Sequence, residues 1–210
     1  MPSRKSIPTA SRALAAAALL FFASHVQAQT PVAPTASATP VASVIPPQVP
    51  LCSACHGPSG NSIIPLTPSL AGQPKLFIEN QLVLIREGLR DIAQMKGMLD
   101  ALKDPELVAL ATYFSVQTPA KISGTINKET FDRGQALAGK MLCGSCHLPD
   151  YSGRQQMPRL AGQREDFLLY SMKQFRDHSG LGRDTVMSAS LFGLKDNDLS
   201  DLAHFLTHFK

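Results

Sequence analysis

The apolar positions of this chain fall into three patterns. The first is an unbroken small-and-apolar run, Ala13–Ala23, preceded by Arg4, Lys5 and Arg12 and followed by Val26-Gln27-Ala28. A basic start, a short apolar segment and small residues at the cleavage positions predict a secretory signal peptide over residues 1–28. The run of eleven residues is about half of the roughly 20 that a membrane-spanning helix needs, so no transmembrane segment is expected after cleavage. The second pattern, residues 29–50, has six prolines and no charge. It lacks any period and predicts a Pro/Ala-rich N-terminal extension rather than a spacer, because repeated proline removes backbone donors and favours extended polyproline-like conformations.

The third pattern is helical and occurs twice. Apolar-periodic stretches at 76–88 and 166–177 predict one helix in each half. The closing segments repeat at i, i+3, i+4 and i+7: Leu107, Leu110, Ala111, Phe114, and then Leu199, Leu202, Ala203, Leu206. Asp104-Pro105-Glu106 predicts an N-cap, a proline at the first helical position and a first-turn acid. Period-two alternation is too short anywhere to argue a sheet. The expected fold class is all-α.

The two halves are copies. Cys52-Ser53-Ala54-Cys55-His56 returns as Cys143-Gly144-Ser145-Cys146-His147, 91 residues on, and Pro68-Ser69-Leu70-Ala71-Gly72-Gln73 returns as Pro158-Arg159-Leu160-Ala161-Gly162-Gln163, 90 residues on. Met95 with Lys103-Asp104 returns as Met187 with Lys195-Asp196. Order and spacing predict a tandem duplication, with units at 51–116 and 129–210 and a linker at 117–128.

Charge narrows the class. The formal +4 of the whole chain includes three basic residues of the leader; the remainder holds 17 basic and 16 acidic residues, which excludes a polycationic nucleic-acid binder. With no tryptophan and 6% aromatics, each small unit has a thin core by itself. A large apolar group bound inside it would thicken that core.

Cys-x-x-Cys-His supplies such a group, because it is the attachment signature of c-type haem. On a helical turn, positions i and i+3 share a side, so Cys52 with Cys55, and Cys143 with Cys146, can each form two thioethers to one haem. His56 and His147 then stand near the same face and can ligate iron. A redox dithiol gives the histidines no role. A four-cysteine zinc site would have to span both units, and two plain disulfides leave the pentapeptides unexplained. Two covalently bound haem c groups are therefore expected. Met95, 39 residues after His56, and Met187, 40 after His147, are the candidates for the other axial position, where a soft thioether raises the reduction potential relative to bis-histidine ligation. Met98 competes with Met95, but its counterpart is Ser190, whereas Met95 aligns with Met187. Methionines 141, 157 and 172 read as core fillers, and His178, His204 and His208 as non-ligands. Pro68 and Pro158 each read either as a plain turn or as the source of a carbonyl that accepts from the ring N–H of the ligating histidine.

These residues together resemble the dihaem class I cytochromes c, most closely the cytochrome c4 family, over about residues 51–210. The motifs that carry the resemblance are Cys52-Ser-Ala-Cys-His-Gly57 with Gly60-Asn-Ser62, the two Leu-Ala-Gly-Gln blocks, Met95-Lys-Gly-Met98-Leu-Asp100 and Ala111-Thr-Tyr-Phe114. The resemblance implies two tandem helical domains related by a pseudo-twofold axis, with His/Met ligation of both irons. It also implies that Pro68 and Pro158 supply the carbonyls behind the histidines. It further implies a periplasmic carrier, not an enzyme, passing single electrons between redox-partner proteins, a terminal oxidase of the membrane among them. A cytochrome subunit of a dehydrogenase or oxidase complex is the alternative. The prolines directly before Cys52 depart from the family pattern, since they shorten or remove the helix expected ahead of the first motif. Residues 130–142 are a better candidate for that helix in the second unit.

Overall fold

Helical periodicity is realised as eight α-helices among the described residues, 45–179 and 182–210 of the computed structural model, with a single isolated β-bridge, Arg154–Met157. The expected signal peptide at 1–28 and most of the proline-rich segment lie outside the described residues. The helices are α1 (Val49–His56), α2 (Lys75–Arg86), α3 (Asp104–Ser115), α4 (Lys128–Lys140), α5 (Cys143–His147), α6 (Glu165–Arg176), α7 (Thr185–Leu191) and α8 (Asp196–His208). No helix among these residues is long and apolar enough to cross a membrane.

The buried apolar residues form two separate clusters. In the first half Val49, Ile78, Leu110, Ala111 and Phe114 pack where α2 meets α3. In the second, Leu168 and Met172 of α6 and Leu199, Leu202, Ala203, Phe205 and Leu206 of α8 pack with Ala138 and Tyr151. The second core is the larger because four rings meet edge to face in it: Phe131, Tyr151, Phe205 and Phe209, with centroids 4.8–5.5 Å apart. A close helix crossing completes it. At Gly134 of α4 an added Cβ would lie 2.1 Å from the Asp201 carbonyl oxygen and 2.6 Å from Phe205 Cβ of α8.

Several boundaries differ from the sequence expectation. Lys103, not Asp104, is the N-cap of α3, which moves Asp104 and Pro105 into the first turn. The cause is Glu106, whose carboxylate accepts the Lys103 backbone N–H at 2.9 Å. Helix α4 starts at Lys128, because the Asn127 side chain accepts from the Thr130 N–H at 3.0 Å. It stops at Lys140, and Leu142 then turns left-handed at φ 55°. In the first half, only Val49, Pro50 and Leu51 precede Cys52 on α1, so the helix ahead of the first motif is indeed cut short.

Each Leu-Ala-Gly-Gln block is a tight turn. Gln73 N–H donates to the Leu70 carbonyl at 3.2 Å, and Gln163 N–H to the Leu160 carbonyl at 3.1 Å. The third residues, Gly72 and Gly162, take φ 65° and 70°, the left-handed geometry that this turn reserves for glycine. Their N–H groups then donate to the ends of the closing helices, Gly72 to Phe114 and Gly162 to Leu206. Both turns are thereby fixed to their cores in the same way.

Candidate functional site

Both Cys-x-x-Cys-His motifs lie on helical turns, the first at the end of α1 and the second forming α5. This puts the two sulfurs of each motif on one side of a turn. Cys52 and Cys143 are half-buried, Cys55 and Cys146 are exposed, and none of the four is joined to another in a disulfide. Burial pushes the Cys52 and Cys143 thiols above their usual range, against a smaller opposing backbone hydrogen bond.

The histidines are oriented alike. His56 Nδ1 donates to the Pro68 carbonyl at 2.9 Å, and His147 Nδ1 donates to the Pro158 carbonyl at 2.9 Å. A carbonyl can only accept, so the proton sits on Nδ1 and the lone pair is left on Nε2. Burial lowers the pKa of both imidazoles, opposed by the proline carbonyls. Both effects leave Nε2 as the atom each ring can offer to a metal.

Met95 ends a short 3₁₀ turn, Ala93–Met95, whereas Met187 lies inside α7, where its N–H donates to the capping Asp184 carboxylate at 2.8 Å. Both are half-buried and Met187 packs against the second core, while Met98 is exposed. The aligned methionines thus occupy different local structures.

The residues also fit a bound group that carries carboxylates. Arg159 Nε is buried with no hydrogen-bond partner among the described residues. Arg90 is pushed down to about 10 by burial and the nearby Arg183 charge; it bonds Gln81. Among the described residues no carboxylate pairs with Arg90 or Arg183. The propionates of a haem would give such cations their counter-charge.

One further cluster gathers metal-capable side chains: Glu165, His204 and His208. It contains no cysteine, and its tautomers argue against a metal. His204 Nε2 accepts the Asn127 backbone N–H at 3.1 Å, so Nδ1 carries the proton and faces the Glu165 carboxylate at 3.1 Å. No lone pair of His204 is left for an ion. The cluster ties the start of α4 to α8 and α6. His178 is exposed, at φ 48°.

The interface between the halves is polar and reciprocal. Gln73 Nε2 donates to the Arg159 carbonyl at 2.9 Å, and its Oε1 accepts the Arg159 N–H at 2.9 Å. Gln163 Nε2 donates to the Ser69 carbonyl at 2.9 Å, and its Oε1 accepts the Ser69 N–H at 2.8 Å. Ser69 and Arg159 are repeat counterparts, as are the two glutamines, so the contact maps onto itself when the halves are exchanged. Asp166 and Arg164 add one-sided contacts, accepting from the Leu66 N–H at 3.0 Å and donating to the Ser62 carbonyl at 3.3 Å. The resemblance implied a pseudo-twofold relation between the halves but not these contacts, of which the repeated Gln was the visible signal.

Comparison with known proteins fits this geometry. The family model for cytochrome c matches residues 131–210. Cytochrome c4 of Azotobacter vinelandii is 32% identical over 174 residues, covering 74% of this chain and 83% of its own. The thiosulfate dehydrogenase electron acceptor of Thiomonas intermedia is 31% identical over 147 residues, covering 65% of this chain and 68% of its own. Among solved structures, reduced recombinant cytochrome c4 from Pseudomonas stutzeri superposes with a TM-score of 0.72 at 30% identity, covering 78% of this chain and 95% of its own. The fold and the paired motifs are those of a dihaem class I cytochrome c, an electron-transfer protein with covalently bound haem c. Within that class, the chain belongs to the cytochrome c4 family.

Proposed function

We propose that this cytochrome carries single electrons in the periplasm between protein partners and catalyses no reaction of its own. The signal peptide is residues 1–28, and the haem units are 51–116 and 129–210, joined by 117–128. Cys52 and Cys55 would hold the first haem by thioethers, and Cys143 and Cys146 the second. His56 and Met95 would ligate the iron of the first unit, and His147 and Met187 that of the second. Each bound haem supplies a one-electron Fe(III)/Fe(II) couple.

The chain's own residues set how that couple behaves. The observation that carries the reading is the pair of 2.9 Å bonds from His56 to Pro68 and from His147 to Pro158. Each bond fixes the tautomer and the ring plane and raises the basicity of Nε2. Methionine sulfur opposes this by favouring the ferrous state. A histidine and a methionine at each iron would leave no position open to a substrate, which supports a carrier over an enzyme.

The donor side has one specific pointer. The relative from Thiomonas intermedia is named as the electron acceptor of a thiosulfate dehydrogenase. The exposed apolar loop Ile63-Ile64-Pro65-Leu66 gives this chain a surface for a protein partner. A dehydrogenase that delivers electrons to this chain, as transient partner or fixed subunit, is the reading these two observations favour.

The test is a spectroscopic redox titration of the wild type beside Met95→Ala and Met187→Ala. Each substitution lowers one potential, leaves the other nearly in place and removes half of the far-red thioether-to-ferric-iron absorption. An unchanged spectrum in either variant overturns that ligand assignment. The same result from Met98→Ala in place of Met95→Ala moves the first ligand to residue 98.

A further inference from the structure

The Leu-Ala-Gly-Gln blocks recur in both halves, and the ligand set uses neither glutamine. Gln73 and Gln163 are each 5% exposed, and each side-chain amide lies along the backbone of the opposite half. The bond it makes there falls on a particular peptide unit. The carbonyl of Pro68 and the N–H of Ser69 belong to the same peptide. That carbonyl accepts from His56 Nδ1, and that N–H donates to Gln163 Oε1 at 2.8 Å. The peptide between Pro158 and Arg159 stands likewise between His147 Nδ1 and Gln73 Oε1, at 2.9 Å on each side. Two crossed chains result, each running from a histidine of one half through one peptide to a glutamine of the other.

We propose that Gln73 and Gln163 are positioning residues acting across the interface: each strengthens and aims the proline carbonyl that holds the ligand histidine of the opposite half. The inference rests on the reading of His56 and His147 as iron ligands. A peptide whose N–H is engaged by an amide oxygen is more polarised, and its carbonyl is a better acceptor. A better acceptor behind Nδ1–H makes the imidazole a stronger donor to iron and stabilises the ferric state. The second bond of each glutamine, from Nε2 to the next carbonyl at 2.9 Å, stops the acceptor peptide from rotating. The potential of each haem therefore depends on a residue of the other domain. Separating or shifting the domains, as docking of a partner could do, would change both potentials without touching either ligand.

The experiment uses the full holoprotein with Gln163→Leu, Gln73→Leu and Gln163→Glu. Two quantities are read: the Nδ1 proton signals of the two ligand histidines in the ferrous protein, and the midpoint potential of each haem. In Gln163→Leu, the His56 proton moves to the position of a weaker hydrogen bond and the potential of the first haem rises, with His147 and the second haem unmoved. Gln73→Leu gives the mirror result. Gln163→Glu keeps an acceptor for the Ser69 N–H and loses the donor to the Ser69 carbonyl; it leaves the His56 bond strong and does not raise the first potential. An unmoved His56 signal in Gln163→Leu, with two haems in place, overturns the proposal. So does an equal shift of both haems, which would mean general loosening, or a shift confined to the mutated half. A wild type with fewer than two haems per chain fails the ligand reading, and is told apart by the absorption spectrum alone.

Discussion

At Gly60 the backbone turns to φ 78° while its carbonyl accepts from both Leu70 and Ala71, at 2.7 and 3.1 Å. An added Cβ there would stand 2.9 Å from the Ala71 nitrogen and 2.8 Å from the Phe114 ring. The counterpart in the second half, 91 residues on, is Tyr151, which also has a left-handed backbone, at φ 52°, and accepts from Leu160 and Ala161. Tyr151 offsets the strain of that geometry, about 1–3 kcal/mol, by packing its ring on Phe205 and Phe209. Gly60 has no such compensation available. Gly60→Ala is therefore expected to destabilise the first unit by about 1–3 kcal/mol while sparing the second. Denaturant unfolding followed separately at the two haems checks this, and an unchanged first transition would contradict it. At this scale the two Cys-x-x-Cys-His turns were legible, because attachment chemistry needs those residue types at fixed spacing, and so were the prolines whose carbonyls accept from His56 and His147. The N-cap of α3 was not: Asp104 looked like a cap, and the Glu106 carboxylate selects Lys103 instead.

Among the elements, α4 and α8 make the closest crossing, and glycine permits it. Gly134 lies against the Asp201 carbonyl, with Phe205 beside it, and Arg133 of α4 holds the Asp201 carboxylate by two bonds of 2.7 and 2.8 Å. Gly134→Val must push the helices apart and is expected to destabilise the second unit by about 1–3 kcal/mol or more. Arg133→Ala removes an ion pair that is exposed on the arginine side and largely covered on the Asp201 side, and is expected to cost about 1 kcal/mol. Thermal unfolding of the two variants side by side reads the difference, and equal losses would contradict the crossing argument. Helix existence was legible from the i, i+3, i+4, i+7 repeats of α3 and α8, since packing on one face imposes that period. The settings of the methionines were not. Asp184 caps a helix that carries Met187, while the stretch before Met95 has no such cap and makes a 3₁₀ turn.

Across the whole molecule, the duplication predicts two equivalent units but says little about how they meet. Paired apolar faces leave a periodic signal in a sequence; an interface built from amides and backbone leaves only a repeated Gln. Asp166 shows how this interface responds to acid. Burial raises its pKa, but the Arg164 ion pair and the N–H groups of Leu66 and Phe167 outweigh that and hold it below the usual carboxylate value. A carboxyl with a depressed folded pKa contributes stability that is fully present above its unfolded pKa, about 3.9 for Asp. That contribution is lost as pH falls through the lower folded value. Of these partners only the Leu66 N–H belongs to the other half, so the halves of the wild type are expected to loosen slightly, through that one bond, below about pH 4, read as a small increase in small-angle scattering radius. Asp166→Asn is expected to be looser at neutral pH and to change less on acidification. Identical curves would remove Asp166 from the interface account.

Two haems bound covalently, one to each Cys-x-x-Cys-His turn, leave a mark that intact-protein mass spectrometry after acid–acetone extraction reads without ambiguity. Protein from a host able to mature c-type cytochromes is predicted to keep the mass of two haems per chain, and Cys52→Ala/Cys55→Ala to keep that of one. A chain that returns to its bare polypeptide mass after extraction would mean that neither turn carries a covalently attached haem.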